Sequence, residues 1–351
     1  MKSGVIIIGV LLLILAAGGF ILTRNTNRQS FAPKSVSGEK SPEISGPQVV
    51  VQNLDTPWGI AFLPSGEMLV TERLGRVRLG EKLVATLSQV KEISEGGLLG
   101  IAIDPDFSNN NFVYLYYTFS GDVSSTLNRV SRFIFKDSKL DGEEIVVDNI
   151  PGAPNHNGGR LKFGPDKLLY ITTGDAQNPS LSQDKNSLAG KILRVKGGNV
   201  EVVSFGHRNP QGLAWDNTGR LWETEHGPSA HDEVNLIEQD KNYGWPDITG
   251  NETRAGMISP VIQSGDNTWA PSGVAFFEGR IFFGGLRGTA LFEFNPVDNS
   301  LKEHFKGQFG RIRDVILGPD NMLYISTSNQ DGRGNPFAGD DKIIKINPQK
   351  L

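Results

Sequence analysis

The chain has 351 residues, 42 of them glycine and none cysteine, with a formal net charge of −4. The missing cysteines exclude disulfides, thiolate metal sites and a cysteine nucleophile. The first 47 residues hold five basic and two acidic side chains, which leaves the body at −7 and argues against nucleic acid as a partner.

The chain opens on an apolar run from Gly4 to Leu22, preceded by Lys2 and followed by Arg24 and Arg28. Its length matches the ~20 residues that cross a bilayer and exceeds the roughly 7 to 15 of a signal-peptide core. Residues 1–23 are expected to form a hydrophobic helix, either an uncleaved membrane anchor or a long signal peptide. The charges flanking the run are nearly balanced and leave its orientation open by the positive-inside rule; export of the body is the expected outcome, to the periplasm, the outer face of the membrane or the medium. Residues 24–47, rich in Ser, Pro, Lys and Asn, have little to bury and read as a flexible linker.

From residue 48 onward one pattern recurs six times: an apolar strand, a polar turn, then a second apolar or aromatic strand. The copies begin at Gly59, Gly100, Arg160, Gly212, Gly273 and Asp314, spaced 41, 60, 52, 61 and 41 residues apart. Each interval accommodates a four-stranded sheet with its loops. A two-sheet sandwich or a jelly roll does not account for six similar hairpins, whereas radial repetition does. Residues 48–351 are therefore expected to form an all-β, six-bladed β-propeller. Its ring closes if Gln48 to Asn53 and Asp341 to Asn347 share a blade.

Such a fold collects distant loops at one mouth of a central channel, and four sets of residues qualify for it. His156 lies in Asn155-His-Asn-Gly-Gly just before the third copy; its imidazole, neutral near pH 7, can serve as a general base or be merely solvated. Arg208, Asn209 and Gln211 precede the fourth copy and offer a forked cation and two amides for a carboxylate, or a salt bridge between blades. Arg287 lies in Gly-Gly-Leu-Arg-Gly, and Arg311 and Arg313 share one strand face before the sixth copy. Recurring arginines on an acidic body suit a small polyanionic ligand, although each alone also reads as a surface charge. Glu225-His226-Gly227-Pro228, followed by Asp232 and Glu233, offers carbonyl and carboxylate oxygens of the kind calcium accepts.

Several stretches, LDTPWGIAFLPSG, EGGLLGIAIDPDF, NHNGGRLKFGPD, GHRNPQGLAWD, EHGP with DEVN, YGWP, GGLRG and GRIRDVILGPD, occur in that order. Together they resemble the soluble pyrroloquinoline quinone (PQQ)-dependent sugar dehydrogenases, the glucose/sorbosone dehydrogenase family, in its aldose sugar dehydrogenase branch. The resemblance implies a six-bladed propeller that oxidises aldoses to lactones and passes electrons to an external acceptor. It implies His156 as catalytic base, with Arg208, Asn209, Gln211, Arg287, Arg311 and Arg313 around the PQQ carboxylates. It also implies an active-site Ca2+ on the carbonyls of Gly227 and Pro228. Glu95 departs from the family's glutamine before GGLLG and puts a negative charge beside the sugar and cofactor. Arg287 stands where some members carry lysine. A second calcium has no clear acidic match after Trp245-Pro246. The long insertions of the glucose-specific enzymes are absent, which implies an open sugar site. The competing readings are a calcium-dependent lactonase, which would centre its metal on carboxylates and amides, and a propeller that only binds a partner or glycan.

Overall fold

The six hairpins read from the sequence form the inner halves of six antiparallel sheets. The structure is a computed structural model and describes residues 46–122 and 125–351. The helix expected over 1–23 and nearly all of the linker lie outside those residues. The inner strands are Pro57–Phe62, Leu98–Ile103, Leu161–Phe163, Pro210–Trp215, Pro271–Phe277 and Ile312–Leu317. Each pairs with the second strand of its own hairpin, and further strands complete the blade. The third sheet gains a short fifth strand, Lys241–Asn242, parallel to Asn199–Phe205.

A sheet with two apolar faces needs cover on both, and a ring of blades supplies it from the neighbours on either side. The apolar clusters accordingly lie between blades. Leu99, Tyr116, Leu161 and Ile171, for example, fill the gap between the second and third. Val51, Leu54, Ile60, Val70, Tyr324 and Ile343 fill the gap between the sixth and first. Four of the six repeats begin with glycine, and close approach explains two of these clearly. A Cβ on Gly100 would lie 2.1 Å from the carbonyl oxygen of Gly159 in the next blade, and one on Gly273 would lie 2.0 Å from Asp314 Oδ1. Inner strands meet too tightly around the axis for a side chain there.

The ring closes by pairing the two ends of the described chain. Gln48–Val51 is the outer strand of the sixth blade, antiparallel to Ile343–Ile346, with Gln48 opposite Lys345 and Val51 opposite Ile343. The six-bladed propeller and its closure are thus as expected. Because each hairpin is antiparallel, the residues that open an inner strand and those that follow the second strand gather at one mouth, here called the upper. The hairpin turns gather at the lower mouth.

Candidate active site

Trp58, His156, Arg208, Gln211, Arg311 and Arg313 stand at or just before the start of an inner strand, so the fold carries them to the upper mouth. There they line a cavity of about 210 Å³ together with Glu95, Gly227, Pro228 and Arg287. Of the ten residues given a site role by the family resemblance, nine line that cavity, and His226 and Asp232 line it as well. Asn209 does not line it. It lies buried just behind, where its Oδ1 accepts from Gly158 N at 3.1 Å and from Gln211 Nε2 at 3.0 Å, bracing the wall.

His156 occupies a left-handed backbone position with φ 61°. Its Nδ1 lies 2.8 Å from Oδ1 of Asp175, a fully buried carboxylate whose other oxygen accepts from Trp245 Nε1 at 2.9 Å. A carboxylate on Nδ1 places the ring proton there and leaves the Nε2 lone pair free. Among the described residues Nε2 has no protein partner, so the imidazole offers a base oriented from behind. His207, by contrast, is buried outside the cavity, bonded through Nδ1 to Glu225 and through Nε2 to Ser204, each at 2.8 Å, and stacked on Tyr243. Its role is in packing.

The arginines are not equivalent. Arg311 is neutralised by Asp331, which accepts from its Nε and Nη2 at 3.0 and 2.8 Å, and Nη1 donates to Leu286 O. Arg313 is only 6% exposed, yet among the described residues its side chain hydrogen-bonds only from Nη1 to Gln211 Oε1 at 3.0 Å, and its Nε has no partner there. Burial pushes its pKa down to about 9. Arg208, half-buried, also lacks a carboxylate in contact: its guanidinium lies over the Trp245 ring, Nη1 reaches His226 O at 3.3 Å, and Nε has no partner among the described residues. Arg287 is exposed at the rim. Nearby carboxylates, Asp331 for Arg313 and Asp175 and Glu225 for Arg208, offset part of the desolvation cost, but none is in contact with either guanidinium, so part of that cost stays unrecovered. An anion in the cavity would recover it.

The sequence model of the glucose/sorbosone dehydrogenase family matches residues 54–336. The chain belongs to that family. It is 31% identical to the aldose sugar dehydrogenase YliI of Escherichia coli over 364 residues, 88% of this chain and 94% of that one. It is 32% identical to quinoprotein glucose dehydrogenase B of Acinetobacter calcoaceticus over 257 residues, 60% of this chain and 54% of that one. Its fold matches the PQQ-bound form of aldose sugar dehydrogenase from Streptomyces coelicolor with a TM-score of 0.80 at 37% identity, covering 86% of this chain and 96% of that one.

Two further features define the mouth of this glucose/sorbosone dehydrogenase. The loop Gly227 to His231 is pinned by Asp232: Oδ1 accepts from Gly227 N at 2.9 Å, and Oδ2 accepts from Thr268 Oγ1, Trp269 N and Ala270 N at 2.7–2.9 Å. Among the described residues the carbonyls of Gly227 and Pro228 accept no hydrogen bond, so two hard oxygens remain for a cation. Across the mouth, Glu95 Oε2 accepts from His156 N at 3.1 Å and Oε1 meets Arg333 Nη1 at 2.5 Å. Arg333 Nη2 also reaches Asn155 Oδ1 at 2.9 Å. Burial alone would raise the Glu95 pKa. The Arg333 ion pair, the neighbouring His226 and the His156 N–H together more than offset burial and hold it at about 2. The charge that the sequence left without a counterion is thus strapped by Arg333. Since the strap occupies a carboxylate that a sugar hydroxyl could use, Arg333→Ala is expected to lower KM, more for disaccharides than for monosaccharides, with kcat within about threefold of the native value. Steady-state kinetics on both sugar sizes check this, and an unchanged KM would show that the strap does not guard the site.

Proposed function

We propose that this chain is a PQQ- and calcium-dependent dehydrogenase that oxidises aldoses at the anomeric carbon to lactones and passes the electrons to an external acceptor. The observation that carries this reading is Arg313, a buried guanidinium lining the cavity whose hydrogen-bond partner among the described residues is the amide oxygen of Gln211. Arg208, Arg287 and Arg311 end at the same cavity, which suits a flat tricarboxylate such as PQQ. When bound, PQQ supplies the hydride acceptor, and calcium on the carbonyls of Gly227 and Pro228 supplies Lewis-acid polarisation. The chain's own groups do the rest. The arginines, with Gln211 braced by Asn209, hold and orient the carboxylates. His156 Nε2 takes the proton of the anomeric hydroxyl as hydride leaves the anomeric carbon, and Asp175 stabilises the imidazolium that results. The apolar run Gly4 to Leu22 supports an extracytoplasmic site of action.

Dye-linked turnover by the purified protein, stripped with a chelator, tests the reading. Activity is expected on a broad panel of aldoses and only after both PQQ and calcium are restored. PQQ binding without turnover would leave a binding propeller, and strict selectivity for one monosaccharide would contradict the open sugar site. Asp175→Asn is expected to retain PQQ affinity and to lower kcat by roughly 10- to 1,000-fold, because the amide no longer fixes the Nδ1 proton or the imidazolium. A kcat equal to that of the native protein would remove Asp175 from the proton relay.

A further inference from the structure

A second cavity, of about 800 Å³, opens at the lower mouth, and the proposed reaction does not use it. It shares no lining residue with the upper one. Its wall is an apolar ring with one member from the inner strand of each blade: Phe62, Ile103, Phe163, Trp215, Phe276 and Leu317, none of them fully buried.

The floor of this apolar funnel is charged. Arg160 bridges the axial channel from the third blade: Nη1 meets Asp314 Oδ2 of the sixth blade at 3.0 Å and Nε donates to Gln211 O of the fourth at 2.9 Å. Asp314 Oδ2 also accepts from Ile60 N of the first blade at 2.9 Å. On its other side the Arg160 guanidinium lies over the ring of Trp58, which with Gln211 lines the upper cavity. Lys162, two residues farther down the same strand, donates Nζ to Leu213 O at 3.0 Å. Asp314 balances one of the two cations, so the floor has one positive charge in surplus. The other carboxylate lining the cavity, Asp104, keeps its charge but stands beyond the ring residue Ile103, at the rim and not at the floor, where Tyr114 Oη, Asn110 Nδ2 and Asp106 N donate to it. Arg160, 7% exposed, also keeps a buried Nη2 with no hydrogen-bond partner.

We propose that the lower cavity binds a single-chain aliphatic carboxylate, with its head at Lys162 and Arg160 and its chain along the apolar ring. One surplus positive charge suits a monoanion, and the Lys162 ammonium, held by a carbonyl oxygen and not by a carboxylate in contact, suits a carboxylate head, with the Arg160 guanidinium behind it adding to the positive field. The six apolar wall residues offer no hydrogen-bonding group to the hydroxyls of a sugar or to a phosphate ester, and they reward burial of methylene groups at about 0.8 kcal/mol each. From Arg160 to Phe163 the strand descends roughly 10 Å at ~3.3 Å per residue, so a medium-length chain reaches the rim.

Titration of the floor follows from the same groups. Burial lowers the Lys162 pKa, Asp314 opposes that, Arg160 adds to it, and the result is about 8. A bound carboxylate raises it again. Binding is therefore complete in strength below pH 8 and declines as the pH rises above 8.

Isothermal titration of the full chain with decanoate and with decanol, without PQQ, tests the proposal independently of the sugar reaction. At pH 7 decanoate is expected to bind one site at least tenfold more tightly than decanol, and about tenfold more weakly at pH 9. Lys162→Met should lower decanoate affinity tenfold or more and leave decanol binding unchanged. Leu317→Asp, a rim substitution that leaves the floor intact, should weaken both and serves if the lysine variant fails to fold. No decanoate binding, equal binding of alcohol and acid, or undiminished decanoate affinity in folded Lys162→Met would each overturn the proposal.

Discussion

His156→Ala is expected to lower kcat for dye-linked aldose oxidation by roughly 10²- to 10⁴-fold, the usual contribution of a positioned general base. PQQ should still bind with near-native affinity, because the cationic groups of the cavity belong to other blades and the Asp175 to Trp245 contact survives the substitution. The separation of the two effects is the point of the experiment. A loss of binding with turnover would show that the imidazole packs against the cofactor, whereas near-native kcat with bound PQQ would place the base elsewhere.

Much of this site was legible because the fold repeats. A strand that begins at the axis must begin at the same mouth in every blade, so residues in front of the third, fourth and sixth copies had to converge. His156, Arg208 and Arg311 do converge. Asp175 and Arg333 were not read, although the same topology predicts them: each second strand returns to the upper mouth, and both residues follow such a strand, Leu169–Thr173 and Leu323–Thr327. Their chemical signal was masked by resemblance to ordinary turn residues. Asp175 looks like Asp166 or Asp320, which cap hairpin turns at the lower mouth through the hydroxyls of Tyr170 and Tyr324. Only side-chain direction separates a turn aspartate from one that orients an imidazole. The lower cavity was invisible for a related reason, because Phe62, Phe163 and Trp215 read as the ends of buried strands. In the ring those ends splay around the axis and face one another across open space.

The arginines carry the second large expected effect, and their partners decide its distribution. Arg313→Met should weaken PQQ binding by about 1.5–3 kcal/mol, roughly ten- to a hundredfold in Kd, the range for a hydrogen bond to a charged group. The melting temperature of the cofactor-free protein should stay level or rise, since a buried cation with no carboxylate in contact gives way to an apolar side chain of similar length. Arg311→Met should behave differently. Its removal leaves Asp331 buried without its counterion, so the cofactor-free protein loses about 3–5 kcal/mol before any ligand is added. Paired melting curves with and without PQQ distinguish the two: the cofactor-induced rise should shrink in Arg313→Met from an intact baseline, while in Arg311→Met the baseline itself should drop. The double variant combines both losses. If Arg313→Met keeps native PQQ affinity, the carboxylates do not reach the innermost guanidinium, and binding must rest on Arg208 and Arg287 nearer the rim.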